Sequence, residues 1–230
     1  MSLMDGSVDL GSPRPRETPQ RYAPLTWPLG ARIALPVPVF PSGSSRSCPE
    51  LLLQRRTKRV FSRLSLEMLS KLTWLTCQVQ GTGGDELGFA LSHRPCPSAG
   101  AIHPIHLLVI DPQAGRWLRY DAVSHALDEV ITQLEPSGVL AEMHSVLPAT
   151  SATLLILAAE PGKTAAKYEA AESLVWRDAG VLLGFLAVAA EALGLNYCPL
   201  GVTGEPWVGR LLDQPGLAGV GAAFVGAPPD

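Results

Sequence analysis

The run Val181-Leu-Leu-Gly-Phe-Leu-Ala-Val-Ala-Ala190, with Arg177 and Asp178 before it and Glu191 after it, constrains the fold more than any other segment. It is well short of the roughly 20 apolar residues that cross a bilayer. It reads instead as the middle of a buried helix from about Glu172 to Leu193, with Gly194 as its C-cap. A helix that is apolar around most of its circumference has to be covered by other elements. With 230 residues and a 47% hydrophobic composition, the chain can build that cover.

The covering elements are legible as short strands and further helices. Ile105-His-Leu-Leu-Val-Ile110 is a strand closed by the turn-forming Asp111-Pro112, and Gly115-Arg-Trp-Leu-Arg-Tyr120 is its return strand. Ala152 to Ala159 has the length and continuous apolarity of a central strand, and Val220 to Gly226 is a last one. Ser65 precedes Leu66, Leu69, Leu72 and Leu75, which recur at near-helical spacing. Short helices are expected from Cys48 into a basic turn and near Trp207 to Leu212, while Ser124 to Leu147 mixes helical spacing with a Pro-Ser-Gly interruption. The expectation is an α+β fold, a small and largely antiparallel sheet packed with long apolar helices. The first fifty residues hold nine prolines and the Ser/Gly run Pro41 to Ser45, so 1–47 is expected to be an extended arm and 48–230 the domain. Alternation around Ile33 to Phe40 favours some packing of that arm.

Several function classes are excluded. Lys plus Arg total 18 against 21 for Asp plus Glu, a formal charge of −3, which lacks the basic excess that wraps nucleic acid. The first residues carry no basic segment followed by an apolar one, so no export is expected. Cys48, Cys77, Cys96 and Cys198 form no Cys-x-x-Cys pair and read as reduced thiols of a cytoplasmic protein rather than a zinc site or disulfide framework. His103 and His106 have no nearby third ligand, so no metal is expected. No Gly-x-Gly-x-x-Gly follows a strand, and Ser98 lacks a Gly-x-Ser-x-Gly setting.

Chemistry concentrates in three places. Arg55-Arg56-Thr57-Lys58-Arg59 is the only dense basic cluster; guanidinium groups offer paired donors to phosphate oxygens and the Thr hydroxyl a neutral one, although a solvated surface run has the same composition. Pro97-Ser98-Ala99-Gly100-Ala-Ile-His-Pro104 is a run of mostly small residues with no simple packing rationale, where other groups can approach the backbone closely. Lys167-Tyr168, just ahead of the long helix, pairs an amine with a phenol, either of which can take or relay a proton, or can simply begin a helix.

Arg55-Arg-Thr-Lys-Arg-Val-Phe61 resembles the Arg-Arg-Ser-x-Arg-x-Phe element of nitroreductase-like flavoproteins, and the run from Pro97 to Pro104 is similar to the Pro-Ser-Ala-Gly-Ala-x-His-Pro loop of SagB-type dehydrogenases. The long helix and the following Cys198-Pro-Leu-Gly201 resemble the same family's central helix and turn, so the likeness spans about Arg55 to Gly226. It departs from the family where Ala170 and Ala171 replace an expected Arg and where Asp178-Ala-Gly-Val181 replaces Glu-Ala-Gly-His; a basic C-terminal tail is missing as well.

The resemblance implies a nitroreductase-like dimer with FMN at the subunit interface. Arg55, Arg56, Thr57 and Arg59 would hold the phosphate end, and Pro97, Ser98, Ala99, Gly100, Pro199, Leu200 and Gly201 would border the flavin ring. Lys167 and Tyr168 would serve as base and proton relay while a hydride moves to FMN. The reaction implied is oxidation of azoline-like heterocycles in a peptide or peptide-derived metabolite, with a cyclising enzyme as partner. Two alternatives stand beside it: an NAD(P)H-dependent nitro, quinone or flavin reductase, and a non-catalytic flavin-binding scaffold subunit.

Overall fold

A computed structural model describes residues 11–40 and 46–229 of the chain; the Ser/Gly run Pro41 to Ser45 lies outside the described residues. The centre of the fold is β8 (Thr153–Ala159), buried at every position. One flank is β5 (Ile105–Ile110), continued by β6 (Leu118–Asp121), β7 (Ala126–Val130) and β2 (Leu29–Ala34); the other is β11 (Ala218–Gly226) and then β10 (Asn196–Leu200). All pairings in this seven-stranded sheet are antiparallel. The sheet is therefore larger than the small one expected, because β2, β7 and β10 are each too short or too mixed in composition to show a clear period.

β8 reads as a continuous apolar run because both of its faces are covered. Leu155, Leu157 and Ala159 pack against α2 (Leu66–Cys77) and α5 (Glu172–Ala192) through Leu69, Leu72, Ala179, Leu182 and Leu186. Leu154, Ile156 and Ala158 face α3 (Pro136–Val146) and the aromatic pair Trp117 and Phe224. Each fully buried leucine contributes on the order of 1.5–3 kcal/mol relative to exposure, so this helix–sheet–helix sandwich is what holds the long helix in place. By length and composition α5 is apolar enough to cross a membrane. Its inner stripe is used by the core, while Trp176, Val181 and Phe185 stay exposed.

Local signals set the helix ends. The Ser47 side chain accepts from the Glu50 N–H, and Glu50 accepts from the Ser47 N–H at 2.7 Å, a capping box that starts α1 (Cys48–Gln54). Ser65 caps α2 by accepting from the Met68 N–H at 3.2 Å. Gly194, at φ +69°, ends α5, and the Leu195 N–H returns to the Ala190 carbonyl at 2.8 Å.

Three expectations are corrected. The helical spacing between Ser124 and Leu147 resolves into β7 and then α3, because Pro136 can open a helix but not continue one. The helix expected near Trp207 is a single 3₁₀ turn, Val208–Arg210. The proline-rich segment does not stand apart from the domain in its described part. β2 completes the main sheet, and β1 (Arg14–Pro15) pairs with β9 (Tyr168–Glu169), which directly follows α4 (Pro161–Lys167). Between them the arm binds α4 through Arg16 N–H to Lys167 O at 2.9 Å, Gln20 N–H to Ala166 O at 2.8 Å and the Arg16 Nε to Ala165 O at 2.8 Å. It passes the small hairpin of β3 (Gly81–Thr82) and β4 (Ser92–His93) with Tyr22 N–H donating to Leu87 O at 2.8 Å.

Candidate active site

The loop Pro97 to Ala101 is held by the helix behind it. Ser98 Oγ donates to Asp178 at 2.5 Å and accepts from the His103 N–H at 3.0 Å, while the Ala99 N–H donates to the same carboxylate at 3.1 Å. Burial raises the Asp178 carboxyl above its ordinary range despite those donors. The single donor of Ser98 is thereby committed inside the protein, so this loop offers a flat ring its backbone and small side chains rather than the Ser98 hydroxyl hydrogen. Gly100 is left-handed at φ 64°, as are Ala101 at 59° and His103 at 48°. A left-handed Ala or His costs about 1–2 kcal/mol, and such conformations cluster where a site over-determines its backbone.

Lys167 and Tyr168 meet this loop. Lys167 is the last residue of α4, Tyr168 leaves it in extended conformation, and Ala170 at φ 47° turns the chain into α5. A Cβ built on Gly100 would lie 2.8 Å from the Tyr168 hydroxyl and 3.0 Å from Lys167 Nζ. Both polar ends therefore converge on one glycine. A residue with a side chain at this position would displace them.

The basic turn and Pro199 to Gly201 form a second group. The Lys58 N–H donates to Tyr197 O at 3.1 Å and Asn196 Nδ2 to Val60 O at 2.7 Å, which fixes the turn along β10. Lys58 and Arg46 both engage the buried Glu191, with Lys58 Nζ at 3.6 Å. Arg59 lies against the Cys198 thiol, whose pKa burial raises more than Arg59 lowers it. Among the described residues no carboxylate lies within ion-pair distance of Arg55, Arg56 or Arg59; Arg56 donates only to the carbonyls of Leu53 and Arg55, at 2.8 and 2.9 Å. Those guanidinium groups, with the exposed Thr57, therefore have no carboxylate competing with a phosphate. Gly201 has nothing within 4 Å of its Cβ position, leaving backbone open there.

The two groups are anchored near opposite ends of α5, one on Asp178 and the other on Glu191, about 20 Å apart along the helix axis at 1.5 Å per residue. A groove of about 740 Å³ runs beside the first group, lined by Leu91, Arg94, Pro97, Ser98, Ala101 and Phe185. The histidine pair has structural partners: His103 Nε2 meets Ser92 O at 2.9 Å and His106 Nε2 meets Glu160 at 2.8 Å. Burial lowers both imidazoles to about 4. Sequence reasoning noticed Asp178 only as a departure from a pattern, and its spacing to Ser98 gave no hint that the two touch. It also passed over Arg94, an isolated cation in a loop.

A model of the nitroreductase family matches residues 52–225. Among solved structures the fold is shared with a nitroreductase-like protein of Ralstonia eutropha, at 18% identity over 95% of this chain and 99% of that one, TM-score 0.59. It is also shared with a chain of the Escherichia coli microcin synthetase McbBCD complex with truncated pro-MccB17 bound, at 20% identity, 84% and 77% coverage and TM-score 0.56. A third is a nitroreductase-like protein of Desulfovibrio desulfuricans in complex with FMN, at 18% identity, 81% and 89% coverage and TM-score 0.50. Comparison with curated proteins gives no match.

Proposed function

The chain belongs to the nitroreductase family, and from that premise we propose that it is an FMN-dependent oxidoreductase that dehydrogenates azoline-like rings in a peptide or peptide-derived substrate. The convergence of Lys167 and Tyr168 on Gly100 carries this reading. It gives a general base and a proton relay at the very loop that resembles the flavin-bordering loop of SagB-type enzymes.

Bound FMN supplies the electron sink of the reaction. Arg55, Arg56, Thr57 and Arg59 hold its phosphate, the guanidinium groups being without carboxylate partners among the described residues. Gly100 and Gly201 let the backbone approach the ring from either group. Lys167 Nζ removes the ring-carbon proton of the azoline, and the Tyr168 hydroxyl passes it toward solvent. Asp178 keeps the loop in register with the helix, so the ring and the dyad stay aligned.

The chain works as a homodimer in this reading. The exposed pair Val181 and Phe185, one turn apart on α5, is covered by a second copy, which carries the phosphate-gripping group of one protomer to the dyad of the other. A cyclising enzyme that makes the azoline is the expected functional partner, and the cytoplasm the expected compartment.

The test begins with the absorption spectrum of the purified protein and identification of the chromophore released by heat. FMN near one per chain is expected. Lys167→Ala then abolishes oxidation of a thiazoline-containing peptide at unchanged flavin content. A protein that takes no FMN sinks the reading; one whose Lys167→Ala form still turns over, with NAD(P)H reducing a nitroaromatic or quinone, replaces it with a reductase.

A further inference from the structure

A second polar cavity lies behind the loop, about 180 Å³ in volume, lined by Arg94, His103, His106, Arg119, Tyr120, Asp121 and Lys163 among others. Three of these are half-buried cations, and none has an ion-pair partner among the described residues. Arg94 donates only from Nε, to Ser92 Oγ at 3.0 Å. Arg119 stacks over Trp27 at 4.9 Å, and its Nε is buried with no hydrogen-bond partner. Lys163 lies over Phe89 at 4.8 Å. Three carboxylates act on Arg119, and each is also engaged elsewhere: Asp121 to Arg32 at 2.9 Å and to the Val123 N–H at 3.0 Å, Asp128 to Arg32 at 2.6 Å, and Glu160 to His106 and, at 2.6 Å, to the Leu25 N–H.

Leaving a desolvated cation unpaired is costly, and three around one cavity compound the cost. Burial lowers Lys163 to about 8 against the opposing pull of Glu160, with Arg94 and Arg119 adding smaller effects in the same direction as burial. An entering anion would relieve all three at once. Two forked guanidinium groups and an ammonium match the oxygens of a carboxylate or phosphate. A water occupies about 30 Å³, so the cavity has room for such a group with a few waters.

We propose that this cavity is a binding site for an oxyanion group, a carboxylate or a phosphate, carried by a small molecule. Its position bears on the reaction. Lys163 and Lys167 are four residues apart on α4 and project from the same face, and Arg94 and His103 line both this cavity and the 740 Å³ groove beside the Ser98 loop. An anion held here sits one helical turn from Lys167.

Full-length, FMN-loaded protein is titrated with inorganic phosphate, with chloride holding the ionic strength constant, while acetylation of Lys163 by acetic anhydride is followed by mass spectrometry. Phosphate is expected to protect Lys163 saturably, leaving Lys71, which is paired with Glu67, unaffected. Arg94→Gln and Arg119→Gln each weaken half-saturation about tenfold. Absence of protection, or protection unchanged in both variants, overturns the proposal. Because the unsubstituted protein gives the first readout, a variant that fails to fold does not remove the test. An azoline carboxylic acid that protects where its methyl ester does not assigns the site to the substrate; protection by phosphate alone assigns it to a free ion. Flavin content is read in the same samples, so a failure of the cofactor reading leaves the Lys163 footprint separately readable.

Discussion

Gly100→Ala separates the cost of a backbone conformation from the cost of moving the dyad. Alanine at φ 64° pays about 1–2 kcal/mol of left-handed strain, which at about 2–4 °C per kcal/mol for a chain of this size lowers Tm by roughly 2–8 °C. The new Cβ would lie 2.8 Å from the Tyr168 hydroxyl and 3.0 Å from Lys167 Nζ, where ordinary contact begins at 3.4 Å, so both ends must retreat by a few tenths of an ångström or more. Misplacement approaching 1 Å at a reacting group costs on the order of a hundredfold in rate, and the expected loss in turnover per bound flavin is ten- to a hundredfold. Gly194→Ala is the control: it sits at φ +69° with open space around its Cβ position, so it shares the strain and touches nothing. The pair is compared by thermal melting, by flavin absorbance and by thiazoline oxidation per flavin. Similar Tm losses with turnover lost only in Gly100→Ala are expected. If Gly100→Ala turns over within about twofold of Gly194→Ala, the contact with the dyad does not matter to catalysis.

Other outcomes follow from the same structure. His106, ordinarily at 6.5, is lowered to about 4 by burial, so its contribution to stability is complete above pH 6.5 and is lost as pH falls toward 4; His106→Gln should give a shallower fall in Tm over that window, with His103 and His125, both also lowered by burial, contributing to the remaining slope. Asp178 is raised above 3.8, so its protonated form favours folding at low pH and that contribution is lost as pH rises through the folded value. The stability of the parent relative to Asp178→Asn should therefore decline from about pH 3.8 upward, as measured by denaturant melts. Arg55→Ala and Arg56→Ala should each weaken FMN binding about tenfold or more, read by flavin fluorescence titration. Deleting residues 1–27 removes the pairing of β1 with β9 and the Leu25 N–H bond to Glu160; amide exchange should accelerate at 166–169 while the β8 amides stay protected.

The elements that carried their own signal were the ones readable in advance. β8 and the middle of α5 are continuous apolar runs because they are buried on two faces or along a broad stripe, and Ser65 and Gly194 mark helix ends by local chemistry. β2 was not legible because it takes its strand identity from a partner far away in the chain, as Ile33 does from Leu127, and β7 and β10 were not because they are short and mixed in composition. The candidate site divides in the same way. Gly100 announced itself through its small neighbours, and Lys167 and Tyr168 as an adjacent pair. What brings them together is a fold-level event, the arrival of α4 beside the Ser98 loop. The grip of Asp178 on that loop joins residues 80 apart, and the unpaired state of Arg94, Arg119 and Lys163 is a property of the cavity that no linear pattern encodes.

The strap that the proline-rich segment lays over α4 also sets an order of events during synthesis. Arg16 meets Glu169 across 153 residues, so at about 5–20 residues per second the ribosome needs roughly 8–30 s to deliver the partner of a segment already made. For that interval the segment has no docking place, and its prolines serve it by keeping the chain extended and poor in hydrogen-bond donors, unable to enter a wrong ladder while it waits. The backbone of Lys167 and Tyr168 can thus be fastened to the strap while β10 and β11, which complete the sheet, are still to be made.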